Sequence, residues 1–106
     1  MENLSLSRRD NTVTATLKNE IDHHSAVSVR NEIDDALYKE MPHTLVFDLS
    51  EVNFMDSSGL GLVLGRYAKA KELGISVVIK NPSKRTEKIF RMAGIDKFIK
   101  IIHDKE

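Results

Sequence analysis

The chain has 106 residues, with sixteen basic and sixteen acidic side chains, 41% apolar and 30% charged residues, and no cysteine. That length suits a single domain spanning 1–106, large enough for a core without staples, and the missing cysteines exclude a disulfide framework and a thiolate metal site. Balanced charge gives no strong pull toward nucleic acid or anionic lipid, no apolar run reaches the ~18 residues of a membrane span, and Met1–Ser5 lacks the basic segment and apolar core of a signal peptide, so the expectation is a cytoplasmic protein that binds neither nucleic acid nor membrane.

Leu4 and Leu6, then Val13, Ala15 and Leu17, alternate with polar residues, as half-exposed strands do. Asp10-Asn11 between them is turn chemistry, so the two segments predict a β-hairpin. A polar stretch follows from Asn19 to Ser25, broken only by Ile21. A helix is then expected from near Ser25. Its buried face is Ala26, Val29, Ile33, Ala36 and Leu37, and its wet side carries Glu32, Asp34, Asp35, Lys39 and Glu40. Pro42 closes that helix, because the residue before a proline is pushed out of the α region.

Thr44–Leu49 reads as a central strand, and its apolar residues Leu45, Val46, Phe47 and Leu49 suggest burial on both faces. A second helix follows Asp56-Ser57-Ser58, with Leu60, Val63, Leu64 and Tyr67 toward the core and Gly74 at its end. Gly59, Gly61 and Gly65 each cost up to about 1 kcal/mol relative to alanine in a helix. Close approach of helix to sheet is the expected compensation. Ile75–Ile79 is a further strand. Asn81-Pro82 should start a third helix, with Thr86, Ile89, Phe90 and Ala93 inward and Gly94 as its stop. The segment Phe98–Ile102 fits either a short strand or a helical turn. Strands alternating with helices argue for an α/β fold, a mixed and mostly parallel sheet with an N-terminal hairpin and helices packed on it.

The chemistry concentrates at Asp56, Ser57 and Ser58. These residue types cap helix N-termini, so a well-capped helix start is one reading. The other is a hydroxyl held out at the end of a strand, where α/β proteins form binding sites. A dinucleotide fingerprint fails, because the third glycine is Gly65, one place late, and no P-loop lysine follows. A hydrolase elbow fails as well: Ser57 lies between Met55 and Gly59, and Ser58 between Asp56 and Leu60. Asp22-His23-His24 lacks further metal ligands, so exposure at a cap or contact surface is expected instead. The basic run Lys80, Lys84, Arg85, Lys88 and Arg91 reads as a solvated helix face. A modification switch remains open: a phosphate on either serine adds about −1.5 to −2 charge. The helix dipole tolerates that charge, whereas a docked partner does not.

Four segments carry a resemblance across nearly the whole chain. They are Glu20-Ile21-Asp22-His23-His24-Ser25-Ala26, Phe54-Met55-Asp56-Ser57-Ser58-Gly59-Leu60-Gly61, Gly65-Arg66-Tyr67 and Phe90-Arg91-Met92-Ala93-Gly94-Ile95. With them the chain resembles the anti-sigma factor antagonists, STAS-domain proteins, most closely those acting on the anti-sigma-F factor in sporulation. The resemblance implies a non-enzymatic switch without cofactor or metal, acting as a monomer. Its unphosphorylated form would bind an anti-sigma factor that is also a serine kinase, and so release the sigma factor. The kinase would phosphorylate the second serine of Asp-Ser-Ser-Gly, Ser58 here, and a serine phosphatase would reverse the step. Asp22, His23, His24, Ser25, Asp56, Ser57 and Gly59 become candidate partner contacts. The alternative is a small nucleotide- or ligand-binding STAS module. Members often continue into a further C-terminal helix, which is not seen in the sequence up to Glu106, leaving the cover of one sheet face open.

Overall fold

The computed structural model describes residues 3–104. Strand β1 (Leu4–Arg9) turns at Asp10-Asn11 into β2 (Thr12–Ile21), and the pair is antiparallel, as the hairpin reading expected. Helix α1 (His23–Glu40), β3 (Thr44–Met55), α2 (Ser57–Glu72), β4 (Ser76–Lys80), α3 (Lys84–Met92) and β5 (Lys100–Ile102) follow. A 3-10 turn, Ile95–Lys97, comes before the ambiguous segment Phe98–Ile102, whose last three residues form the strand β5. The strands lie in the order β1-β2-β3-β4-β5, and every pair after the hairpin is parallel.

That order decides where the helices go. Parallel neighbours joined by right-handed crossovers, all stepping in one direction, receive their helices on one side. The register agrees: Val13 pairs with Leu45 and Ala15 with Phe47, and Leu45 and Phe47 pair with Val77 and Ile79. All six are buried and form one core with Val29, Ile33 and Leu37 of α1. The alternate residues Thr14, Thr16, Val46, Asp48 and Val78 are only half-buried. β3 is therefore central as expected, but it is deeply buried on one face only; Val46 belongs to the open face.

Several local expectations shift. Helix α1 begins at His23 rather than near Ser25, because Asp22 is the N-cap and Ser25 completes a reciprocal capping box with it. Asp34 leaves the wet side and forms an ion pair with Arg66, while Ala26 and Ala36 are only half-buried flanks. On α2 the buried face is Gly59, Leu62, Val63, Arg66 and Ala70; Leu60, Leu64 and Tyr67 sit half-buried beside it. Of the three glycines, only Gly59 meets the close-approach requirement. A Cβ there would lie 2.2 Å from Met55 Cγ and 3.4 Å from Ile21 Cβ, whereas Gly61 and Gly65 have open space around them. Helix α3 is capped by Ser83, whose hydroxyl accepts from Thr86 N–H, and not by Asn81. Asn81 instead takes a left-handed φ of 58° and bonds Asp104. Thr86 and Phe90 are buried, but Ile89 and Ala93 are exposed.

Strand β3 also runs six residues beyond its expected end at Leu49. It uses twelve residues where β2 uses ten, and the two extra ones enter as irregularities opposite Thr16/Lys18 and Asn19/Glu20. Such bulges bend a strand and re-aim its side chains. Both lie in the stretch that leads to Asp56.

Candidate functional site

The site is built where β2 and β3 end together. Ile21 and Met55 are partners in the parallel register, and both are buried. The next residue in each strand is an aspartate, and each aspartate caps a helix. Asp22 Oδ1 accepts from Ser25 N–H at 2.9 Å, and Asp22 N–H donates to Ser25 Oγ at 3.2 Å. Asp56 Oδ1 accepts from Ser58 N–H at 2.8 Å and Gly59 N–H at 3.3 Å. Two helix N-termini, each with the positive end of its dipole, thus emerge side by side from one edge of the sheet. The bonds from Ser25 hold the Asp22 carboxyl below its ordinary range.

The two serines are not equivalent. Ser57, the first residue of α2, is exposed. Ser58, the second, is half-buried; its N–H is taken by Asp56, and its hydroxyl has no hydrogen-bond partner among the described residues. On one side Ser58 lines a groove of about 320 Å³ between α1 and α2, shared with His23, Arg30, Gly61, Gly65 and Arg66. On the other side a second cavity of similar volume, about 320 Å³, lies between Phe54, Ser57, Leu60, Arg85 and Ile89. Arg85 stands 5.6 Å over the Phe54 ring there.

Arg66 crosses the back of the first groove. Its Nε lies 2.8 Å from Asp34 Oδ1, and the residue is only 8% exposed. Burial pushes its guanidinium down from the ordinary value; Asp34 opposes that effect and nearby Arg30 adds to it. The pair is charge to charge without in-line hydrogen-bond geometry.

Residues 3–106 match the STAS domain family. The anti-sigma F factor antagonist of Lysinibacillus sphaericus is 36% identical over 84 residues, which are 79% of this chain and 72% of that one. The chain belongs to the STAS-domain anti-sigma factor antagonists. The anti-sigma-B factor antagonist of Bacillus subtilis strain 168 is 29% identical over 99 residues, covering 93% of this chain and 89% of the relative. The solved structure of the anti-sigma factor antagonist SpoIIAA in its unphosphorylated form superposes with a TM-score of 0.83 at 30% identity, covering 97% of this chain and 89% of that one. The phosphorylated form of the Bacillus protein gives 0.79 at 30% identity, covering 97% and 92%. The STAS fold expected from the sequence is thus the fold found.

Within this STAS fold, Asp22, His23, His24 and Ser25 sit at the start of α1, and Asp56, Ser57 and Ser58 at the start of α2. His23 and His24 are exposed, and His23 reaches the groove that Ser58 lines. Among the described residues no three His, Cys, Asp or Glu side chains gather as a metal site. Among the described residues no helix is long and apolar enough to cross a membrane. Gly59 lies beneath the surface of this corner. It is buried against Met55 and Ile21, so it seats the helix start rather than offering surface. Arg30 and Arg66 also line the groove. Arg30 looks like any charged residue on a wet helix face; Arg66 stands in the Gly65-Arg66-Tyr67 segment that carries the resemblance, but its periodicity alone does not mark it as buried. Only the packing of α1 on α2 puts them in one groove with Ser58.

Proposed function

We propose that this antagonist is a phosphorylation-controlled binding switch whose acceptor is Ser58. In this reading the unphosphorylated chain binds an anti-sigma factor that is also a serine kinase, and the bound sigma factor is released. The chain is the kinase's substrate rather than an enzyme. The Ser58 hydroxyl oxygen attacks the γ-phosphorus of ATP held by the kinase; a new O–P bond forms, the bond to ADP breaks, and the hydroxyl proton passes to a base on the kinase. A serine phosphatase hydrolyses the phosphoester and restores the binding form.

The observation that carries this reading is the state of Ser58. Its backbone N–H is already satisfied by Asp56, and its hydroxyl is uncommitted at the positive end of a helix. A phosphate of about −1.5 to −2 charge can be borne by the fold there. A partner docked over the same corner would have to desolvate that charge, at a cost of several kcal/mol. Asp22, His23, His24, Ser25, Asp56 and Ser57 share this edge of the sheet and are the proposed contact surface, with Gly59 beneath it. Identities of 36% and 33% to two anti-sigma F relatives, against 29% and 32% to anti-sigma-B relatives, favour the sporulation branch.

The test uses intact-mass spectrometry after incubation with the anti-sigma kinase and ATP. The expected result is one phosphate on the native chain and none on Ser58→Ala. A phosphate that persists at Ser57 in that variant overturns the assignment.

A further inference from the structure

Phe54 is turned outward by the second irregularity between β2 and β3. Asn19 pairs with Val52 and Glu20 with Phe54, so Asn53 is the extra residue. Val52 and Met55 are buried, and between them the strand sets Asn53 and Phe54 exposed in succession. Bulges re-aim side chains in this way. Phe54 is 42% exposed and Ile89 of α3 is 41% exposed, and both line the cleft of about 320 Å³ beside Ser57, together with half-buried Leu60. Arg85 gives the lining its cation, with the guanidinium carbon 5.6 Å over the Phe54 ring. Asp56 also lines the cleft, but its Oδ1 already accepts from Ser58 N–H and Gly59 N–H.

Single apolar side chains at a surface are ordinary, but several lining one cleft with a polar rim mark an interaction site. The openness of the cleft selects the occupant. A small ligand buries about 70–90% of its surface in its pocket, and walls as wet as Phe54 and Ile89 do not enclose one. A side chain projecting from a protein surface closes such a cleft with the surface it stands on. A second copy of the chain fits poorly: two-fold pairing sets a patch against itself, so Arg85 and the exposed Lys84 and Lys88 of α3 would face the same cations. The cleft also adjoins the serine corner, because Asp56 and Ser57 line it and lead directly into Ser58.

We propose that this cleft is the anchor of the contact with the anti-sigma factor. It takes an apolar side chain of that partner, seated on Phe54 and Ile89, and Arg85 draws a carboxylate that the partner carries beside it. The inference rests on the proposed binding of an anti-sigma factor and extends the contact surface from the serine corner onto α3. Apolar burial in the cleft then supplies affinity, while the charge at Ser58 decides whether the partner can sit. Arg85, which reads in the sequence as part of a solvated basic face, acquires a defined use as the cation at the mouth of the cleft.

The test measures binding of the cognate anti-sigma factor to the unphosphorylated native chain and to Phe54→Ala, Ile89→Gln, Arg85→Gln and Ser58→Asp, by calorimetry and stopped flow. Phe54→Ala and Ile89→Gln should each weaken binding at least about tenfold. Because Ile89 is exposed, Ile89→Gln should melt with the native chain, which separates a lost contact from a lost fold. Arg85→Gln should slow association about two- to fivefold at low salt, a difference that closes near ~0.5 M salt as expected for a rim charge. Native affinity in both Phe54→Ala and Ile89→Gln, with Ser58→Asp weakened, overturns the anchor and leaves the serine switch standing. Weakened cleft variants with Ser58→Asp at native affinity overturn the switch and leave the anchor standing. Sedimentation of the chain alone covers the second copy: a dimer that Ile89→Gln abolishes overturns the anchor in favour of self-pairing. A saturable shift of the Ile89 methyl resonance by micromolar hexanoate overturns it in favour of a small apolar acid.

Discussion

Arg66 Nε stands 2.8 Å from Asp34 Oδ1, and this ion pair joins α2 to α1 behind the serine corner. The Arg66 side chain is 10% exposed and that of Asp34 22%. Removing one partner strands the other. Asp34→Ala should lower stability by about 2 kcal/mol, short of the ~3–5 kcal/mol of a fully buried pair because Asp34 is partly wet. Arg66→Met, which removes the buried charge and fills its volume, should cost less than about 1 kcal/mol. Urea denaturation of the two variants measures both, and equal losses would show that packing rather than charge governs the pair.

The glycines make a prediction of opposite signs. Gly59→Ala puts a Cβ 2.2 Å from Met55 Cγ, so the Met55 side chain or the helix start must move. Overpacking costs about 1–3 kcal/mol, and the better helix propensity of alanine returns up to about 1. A net loss of about 1 kcal/mol is expected. Gly61→Ala meets no atom within 4 Å and should gain up to about 1 kcal/mol. Thermal melts that move both variants in the same direction would contradict the packing role given to Gly59.

Acid should weaken the α1 start in a defined window. The bonds from Ser25 depress the Asp22 carboxyl below its ordinary value of 3.8 in the folded chain. A carboxyl depressed on folding stabilises fully above its unfolded value, and that stabilisation is lost as pH falls through the folded one. Glu87, depressed chiefly by Arg91, and Asp104, depressed chiefly by Asn81, act in the same sense. Stability should therefore be nearly flat above about pH 5 and fall below about pH 4. Asp22→Asn should flatten part of that fall; an unchanged slope would remove Asp22 from the acid response.

Ser58→Asp places one negative charge at the second position of α2. The helix end accepts it, so the melting temperature should change little. Affinity for the anti-sigma factor should drop at least about tenfold, or about 1.4 kcal/mol. Calorimetry showing equal affinity for the two chains would count against a switch based on charge.

What the sequence made legible followed the physics of one element at a time. Val13, Ala15 and Leu17 alternate cleanly, and the strand they predict is the strand found, with all three buried. The start of α1 is ambiguous in the sequence because Asp22 and Ser25 are both cap-type residues; the structure uses both, one as N-cap and one as its reciprocal partner. The far half of β3 was hidden by its two extra residues, which break the alternation through Ser50–Phe54 and leave Phe54 exposed. The face of α2 is hard to read because its buried side includes Gly59, with no side chain, and Arg66, with a charge. Of the candidate site, the cap chemistry of Asp22–Ser25 and Asp56–Ser58 is legible, and both segments do start helices; the proposal of Ser58 over Ser57 comes from the resemblance. The groove was not legible, since it exists only once Arg30 and Arg66 are brought together by two packed helices.

The strand order has a consequence for how the chain is made. Each strand pairs only with strands adjacent to it in sequence. As the polypeptide leaves the ribosome, the hairpin can close first, and each later strand can dock on an edge already formed. The largest loop to be closed at any step is a single crossover, which limits the entropy cost of that step. Both halves of the serine corner are then in place once α2 has emerged, before β4 and β5 are synthesised.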